Sequence, residues 1–560
     1  AGRATTNRPG HCAFAITGPL HGDLLDVARA PWEKGKMPDA QGAETYDPVL
    51  MPELLAMALN QHDERVAVRL ADQVVTYRGY REAVSRYTQA YAAAGLGRGS
   101  PVATLSRNCV EVLYTMGASI MIGCRGTPLH PLGSLDDHAY VLGHAGIGTL
   151  IYHPAYEEHV VRLRDRVPGL RLLSLGPSSA GEDLITLAAQ FIPGPLEPVR
   201  PRPEDVSGIS FTGGTTGRPK GVVSSYRIMA ALSQIQMAEW QWPQEVRFLV
   251  CAPLSHAAAA FTLPVLLKGG SFVVMPGFSP QGWLAAVEEH RITATMIVPA
   301  MLYAILDHPD LATRDTSSLQ TVFYGTAVVS PARMGQAIER FGPVFFQFYG
   351  QNEVPMSVTV LRKEEHDVSR PGRLASCGRP VPWIRAALLD DDGKPVSPGQ
   401  PGEICVQGPL VMLGYYRMPE ESAEVMRGGW LHTGDVARED DDGFWTIIDR
   451  KKDMIVSGGF NVYPREIEDV LTSHADVSAA AVIGVPDDKW GESVKAVVVA
   501  RPGATIDPEA LIAAVRERKG PVYAPKSGDV VEALPLTPVG KADKVALRER
   551  YWAGQDRRVH

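Results

Sequence analysis

Apolar and polar positions change period several times along the chain, and each change marks an element. From Met51 the pattern predicts a helix over 52–59, a strand over 66–70, a hairpin into 73–77 and a long helix over 80–94 that Gly95 ends. Apolar strands then alternate with helices: strands at 101–105, 126–129, 149–152 and 170–175, helices at 109–123 and 135–145. Such alternation predicts a parallel sheet with helices on both faces. A proline-rich stretch, 182–205, leads into the strand Val206 to Phe211, and strands at 247–251, 271–275, 295–297 and 321–323 predict a second sheet of the same type.

Between 376 and 445 the pattern shifts to short strands with turn residues about every ten positions, which predicts a small barrel-like subdomain. Beyond the charged run Asp449 to Asp453 comes an α+β segment, with strands at 454–457, 477–485, 493–499 and 529–531 and helices at 464–473 and 508–519. Residues 1–50 hold many prolines and glycines without a sustained period and read as an arm with one short helix at 24–30. The expected organisation is therefore this arm, a large domain over 51–450 that includes the 376–445 subdomain, and a small C-terminal domain over 451–560. The charged cluster at 449–453 is expected to be solvated and to serve as the hinge. The fold class is α/β: two doubly wound sheets and a small distorted β-barrel in the large domain, followed by a small mobile α+β domain.

Composition narrows the function. With 560 residues, 45% hydrophobic and 21% charged, the chain has the make-up of a soluble multidomain protein. A net charge of -8 offers no basic field for nucleic acid. The cysteines at 12, 109, 124, 251, 377 and 405 form no CxxC or Cys/His cluster, so neither zinc nor a disulfide framework is expected, and a cytoplasmic setting fits. The apolar runs 110–122 and 261–267 are too short for an integral membrane segment, and residues 1–30 lack the apolar core of a signal peptide. A homodimer is compatible with all of this.

The most informative stretch is Ser210-Phe-Thr-Gly-Gly-Thr-Thr-Gly-Arg-Pro-Lys-Gly221. Glycines, hydroxyls and a lysine directly after a strand give a loop with little side-chain bulk and many N–H donors, which suits a polyphosphate. It is not a P-loop, because Lys220 is followed by Gly221 and no Gly-Lys pair occurs in the loop. Its order resembles the phosphate loop of the adenylate-forming superfamily: acyl- and aryl-CoA ligases, peptide-synthetase adenylation domains and luciferases. Four further segments carry the same resemblance: Phe348-Tyr-Gly-Gln-Asn-Glu353, Gly429-Trp-Leu-His-Thr-Gly-Asp435, Asp449 through Glu468, and Leu534-Pro-Leu-Thr-Pro-Val-Gly-Lys541. Taken singly, each has a plainer explanation, such as a turn, a strand end or a solvated lysine. Together they span residues 206 to 544 in the family's order.

The resemblance implies roles residue by residue. Thr212, Gly213, Gly214, Thr215, Thr216, Gly217 and Lys220 would hold the phosphates of ATP. Tyr349 would stack on adenine, Asn352 would meet the α-phosphate and Glu353 would hold Mg²⁺, a hard ion that prefers oxygen ligands. Asn352 departs from the family's threonine, replacing a hydroxyl by a longer amide. Tyr226 stands where relatives often have histidine. Asp435 and Arg450 would contact the ribose, and Gly325, Thr326 and Ala327 would line adenine and substrate. Lys452 would be the pivot of the small domain, and the Gly458-Gly459 turn would admit the pantetheine arm of CoA. His256, in Pro253-Leu-Ser-His-Ala-Ala-Ala-Ala-Phe261, would gate the acid pocket, and Lys541 would neutralise charge between carboxylate and α-phosphate.

The expected activity is ATP-dependent adenylation of a small-molecule acid, giving acyl-AMP and pyrophosphate, followed by transfer of the acyl group to CoA. The alternative from the same fold passes the activated acid, or a small oxyanion such as nitrite, to an amine or carrier without CoA. A third reading, a nucleotide-sensing scaffold without catalysis, is opposed by the joint presence of Lys541, Glu353 and Asp435.

Overall fold

The structure is a computed structural model that describes residues 48–212, 219–457, 460–487, 491–536 and 542–552. The short helix expected at 24–30, residues 213–217 of the phosphate loop, Gly458, Gly459 and Lys541 lie outside the described residues. From Leu50 onward the chain forms one unit containing four sheets.

The eight-stranded sheet runs in the order Gly414–Tyr415, Lys220–Ser225, Val206–Thr212, Arg125–Pro128, Pro101–Leu105, Thr149–Tyr152, Arg171–Ser174, Glu182–Asp183. Its strands are parallel from Val206–Thr212 outward, and the two strands at the other edge pair antiparallel. The nine-stranded sheet has a parallel centre, Phe345–Gln351, Thr321–Tyr324, Ala294–Ile297, Arg247–Val250, Ser271–Val274 and Val66–Leu70, with antiparallel strands at both edges. Helices cover both faces of these sheets. Thr149–Tyr152, Ala294–Ile297 and Thr321–Tyr324 are accordingly buried at every position, as parallel strands between two helical layers must be.

Chain order does not divide cleanly between the two sheets. Val66–Leu70, the first strand in sequence, pairs on one side with Ser271–Val274, about two hundred residues further along the chain, and so belongs to the nine-stranded sheet. Local capping explains other differences from the sequence expectation. The long helix starts at Tyr77 and not at 80, because the Thr76 hydroxyl accepts the Gly79 N–H at 3.1 Å. The proline-rich stretch contains a helix, Leu184–Ala189, capped by Asp183. A helix over Tyr226–Glu239 follows the phosphate strands, with Ser225 as its cap. Tyr226 is buried against Leu50 and Ala230.

The main core joins both large sheets, and Trp240 is its centre. Its ring stacks on Phe348 at 5.0 Å and lies 5.2 Å from Phe323 and 5.5 Å from Phe261 and Phe346, while its indole N–H donates to Ser357 Oγ at 3.2 Å. The 376–445 region holds most of a four-stranded antiparallel sheet, Arg385–Leu389, Gly402–Gln407, Leu431–Glu439 and Trp445–Arg450. A 3₁₀ turn, Lys451–Asp453, leads to the small C-terminal domain, where Val477–Asp487 and Gly491–Ala500 pair antiparallel beside the helices Pro464–Thr472 and Pro508–Lys519. Among the described residues no helix is long and apolar enough to cross a membrane.

Because Trp240 fills a site walled by four aromatic rings that cannot collapse inward, Trp240→Ala is expected to destabilise the protein by about 3–5 kcal/mol. Urea denaturation followed by circular dichroism checks this, and a shift below about 1 kcal/mol would show that the aromatic cluster repacks.

Candidate active site

Three strand ends and one hairpin of the antiparallel sheet bring the predicted residues together. Phe345–Gln351 and Val354–Leu361 form a hairpin whose turn is Asn352-Glu353, with Gln351 opposite Val354. This exposes the Asn352 side chain and leaves Glu353 half-buried. Gly350 is required at this bend, since a Cβ there would lie 2.2 Å from the Met356 nitrogen. Beside it, the chain leaves Thr321–Tyr324 through Gly325, Thr326 and Ala327. A Cβ on Gly325 would lie 2.5 Å from the Phe348 carbonyl oxygen, and Thr326 takes φ +67°.

Asp435 sits at the centre, only 5% exposed. Its Oδ2 accepts from the Tyr349 hydroxyl at 2.8 Å and from Gln351 Nε2 at 2.6 Å, and its Oδ1 pairs with Arg450 Nε at 3.2 Å. The fifteen-residue spacing of Asp435 and Arg450 now has a geometric basis, because the two are direct partners across the Leu431–Glu439 and Trp445–Arg450 ladder. Burial and the neighbouring Asp435 carboxylate push the Tyr349 phenol well above its ordinary pKa, which keeps it a donor.

Glu353 and Lys220 meet on a different surface of the same region. Tyr415 OH donates to Glu353 Oε1 at 2.9 Å, and the Lys220 ammonium lies 4.9 Å from the centre of the Tyr415 ring. Thr212 and Lys220 are cross-strand partners, so they bracket the loop between them. The loop therefore joins strand to strand, whereas a P-loop leads into a helix, and this agrees with the rejection of that motif.

His256 precedes the 3₁₀ turn Ala257–Phe261. Its Nδ1 lies 2.8 Å from Ser255 Oγ and its ring meets His130 edge-on at 4.6 Å. The ring is exposed to solvent, yet the surrounding protein and then His130 push its pKa down, to about 4. At neutral pH it is an uncharged imidazole that offers shape and a hydrogen bond.

The run 449–453, expected from its charge to be solvated, is so only in part: Arg450 and Lys452 are exposed, while the two acids take partners. Asp449 is 8% exposed and accepts the backbone N–H groups of Arg450 at 2.7 Å and Arg465 at 2.9 Å, while Asp453 pairs with Arg548 at 2.8 Å. Lys544 pairs with Glu468 at 2.8 Å. The described residues that follow Lys541 are thereby tied to the junction, since the helix Lys544–Tyr551 carries both Lys544 and Arg548. Lys452 itself is exposed within the turn.

Gln351, Tyr415 and Glu403 escaped the sequence reading. Gln351 lay inside a recognised motif without a role, and Tyr415 lies in a two-residue strand with no periodicity to mark it. Glu403 is buried and accepts from Gly434 N and His432 Nδ1 at 3.0 Å, from Arg427 at 3.2 Å and from Lys451 at 3.3 Å, which fixes the turn before Asp435. Glu403, Cys405 and His432 are close enough to hold a metal ion. Arg427 and Lys451 already balance the carboxylate, so Glu403 acts as an internal clamp on this turn.

The chain thus forms a large α/β domain followed by a small α+β one, with a buried acid gathering an aromatic hydroxyl, an amide and a guanidinium from separate segments. Residues 55–416 match the family described as AMP-binding enzyme, and residues 466–541 match the AMP-binding enzyme C-terminal domain. The chain belongs to the AMP-binding enzyme family. It is similar to the medium/long-chain-fatty-acid–CoA ligase FadD8 of Mycobacterium tuberculosis, 48% identical over 554 residues and 96% of each chain. It is also similar to a feruloyl-CoA synthase of an Amycolatopsis species, 39% identical over 491 residues, 87% of this chain and 96% of the relative. Among solved structures it resembles the amide bond synthetase McbA from Marinactinospora thermotolerans, with a TM-score of 0.82 and 36% identity over 89% of this chain and 99% of that one. The protein is an AMP-forming ligase of the acyl- or aryl-CoA synthetase type, a class that works with ATP, Mg²⁺ and CoA.

The junction titrates. Burial, opposed by Lys544, raises Asp449 from 3.8 to about 6, so the folded protein holds a proton in this interval that the unfolded chain has released. Stability from this group therefore falls as pH rises from about 4 to about 6. Asp449→Asn lacks the titration, and wild type should lose up to about 3 kcal/mol relative to it across that window. Urea midpoints at pH 4.5 and 7 measure the difference, and a gap that stays constant would show that Asp449 titrates normally.

Proposed function

We propose that the hydrogen-bonded group around Asp435 is the ribose end of an ATP site, and that the predicted residues divide the work of one adenylation and one transfer. The observation that carries this reading is the convergence of Tyr349, Gln351 and Arg450 on one buried carboxylate that faces the same hairpin as Glu353. Asp435 and Arg450 bind the ribose, Tyr349 and the Gly325 to Ala327 turn flank the adenine, and Lys220 with residues 212–217 holds the phosphates. Asn352, at the exposed tip of the hairpin, meets the α-phosphate. Glu353 supplies the hard oxygen that suits Mg²⁺; bound there, the ion neutralises triphosphate charge.

A carboxylate oxygen of the acid attacks the α-phosphorus, the bond to the bridging oxygen breaks, and pyrophosphate leaves with the electron pair. Lys541 offsets the charge that builds between carboxylate and phosphate. The small domain then turns about Lys452, and Gly458-Gly459 gives the pantetheine arm access to the adenylate. The sulfur attacks the acyl carbon and AMP leaves. His256, uncharged, borders the acid pocket. The similarity to FadD8 and to feruloyl-CoA synthase supports an apolar carboxylic acid as substrate, aliphatic or aryl. The domain limits 51–450 and 451–560 are part of the proposal, as are a cytoplasmic location, which the free buried cysteines support, and a homodimer.

The similarity to an amide bond synthetase favours a second acceptor, an amine in place of CoA. Both readings share the first step. Pyrophosphate and AMP release, followed across medium- and long-chain fatty acids, hydroxycinnamic acids and nitrite, with CoA, with an amine and with neither, separates them: the CoA reading requires that CoA accelerate AMP release. Lys541→Ala is expected to slow adenylation at least about 100-fold while a synthetic acyl-adenylate still reacts with CoA. Equal loss of both half-reactions would remove Lys541 from the role given to it.

A further inference from the structure

Tyr415 touches two residues of the proposed site that come from opposite sides of it, and nothing so far gives it a part. It is the second residue of the strand Gly414–Tyr415, which pairs antiparallel with Val222 and Val223 on the strand that Lys220 opens. The backbone around it is held firmly. Leu413 N donates to Val223 O at 3.0 Å, Tyr416 N to Gly221 O at 2.7 Å and Tyr415 N to Ser422 Oγ at 2.8 Å. Met412 N donates to the carbonyl oxygen of Glu353 at 2.9 Å, so the same segment grips the hairpin turn by its backbone as well.

From this anchored position the phenol reaches Glu353 Oε1 at 2.9 Å, and the ring face lies 4.9 Å from the Lys220 ammonium. A carboxylate on a two-residue turn is otherwise free to rotate, and a lysine has four rotatable bonds. A rigid aromatic that engages one oxygen of the first and the charge of the second restricts both.

We propose that Tyr415 is a positioning residue: its hydroxyl orients Glu353 as a one-oxygen ligand for magnesium, and its ring orients Lys220 toward the phosphates. The proposal rests on the metal role given above to Glu353. It predicts that the two functions separate. Tyr415→Phe keeps the ring and loses the hydroxyl; Tyr415→Leu loses both.

The test uses the full-length protein and measures calorimetric Kd values for ATP in Mg²⁺ and in EDTA, together with the Mg²⁺ concentration that half-saturates pyrophosphate release. Tyr415→Phe should raise that Mg²⁺ concentration about 10-fold or more and weaken ATP binding in Mg²⁺, with the Kd in EDTA unchanged. Tyr415→Leu should in addition weaken the Kd in EDTA about 2- to 5-fold. If Tyr415→Phe weakens both Kd values equally, the residue is merely structural and the proposal is wrong. Glu353→Gln separates the two claims. Should Glu353→Gln lose its Mg²⁺ dependence while Tyr415→Phe behaves as wild type, Tyr415 has no positioning role although Glu353 keeps its own. Should Glu353→Gln itself retain wild-type Mg²⁺ dependence, the metal assignment fails and takes this proposal with it.

Discussion

A buried carboxylate must be matched by donors or it costs several kcal/mol, and the architecture of this enzyme turns on how Asp435 meets that demand. Its donors come from Tyr349 and Gln351 on the nine-stranded sheet and from Arg450 on the strand that leads into the small domain. One acid thus ties the large sheet, the antiparallel sheet and the start of the interdomain junction to a common point. The turn that presents it is fixed in its own right by Glu403, a second buried acid with its own set of donors.

The same economy recurs at the junction. Asp449 holds two backbone N–H groups, Asp453 holds Arg548, and Glu468 holds Lys544. Charges that look suited to solvent therefore clamp the turn between domains to the C-terminal helix. The apolar core of the C-terminal segment lies beyond these charged contacts.

Much of the chemistry was legible along the chain because it is local. A glycine-threonine loop after a strand, an aromatic-glycine turn ending in an acid and a Gly-Asp turn each keep their chemical meaning within about a dozen residues, and the alternation of strand and helix announced parallel sheets. Thr212 and Lys220 are cross-strand partners, Tyr349 and Arg450 meet at Asp435, and Glu353 lies in the hairpin turn next to them. Less was legible where function depends on a neighbour distant in sequence. Tyr415 lies 62 residues from Glu353 and shares no motif with it, and Gln351 matters through an acid 84 residues away. In the charged run at 449–453 the two acids find their partners, Arg465 and Arg548, on helices further along the chain.

Periodicity, turn chemistry and residue type, then, specified the strands and helices, the phosphate loop's character and the identity of the acids and lysines, since each of these is set by neighbours within a few positions. Packing settled the rest: that the first strand joins the second sheet, that Tyr226 is a core residue, and that separate donors share Asp435. Those outcomes depend on which surfaces exclude water together, and long-range pairing of that kind is a property of the whole folded chain.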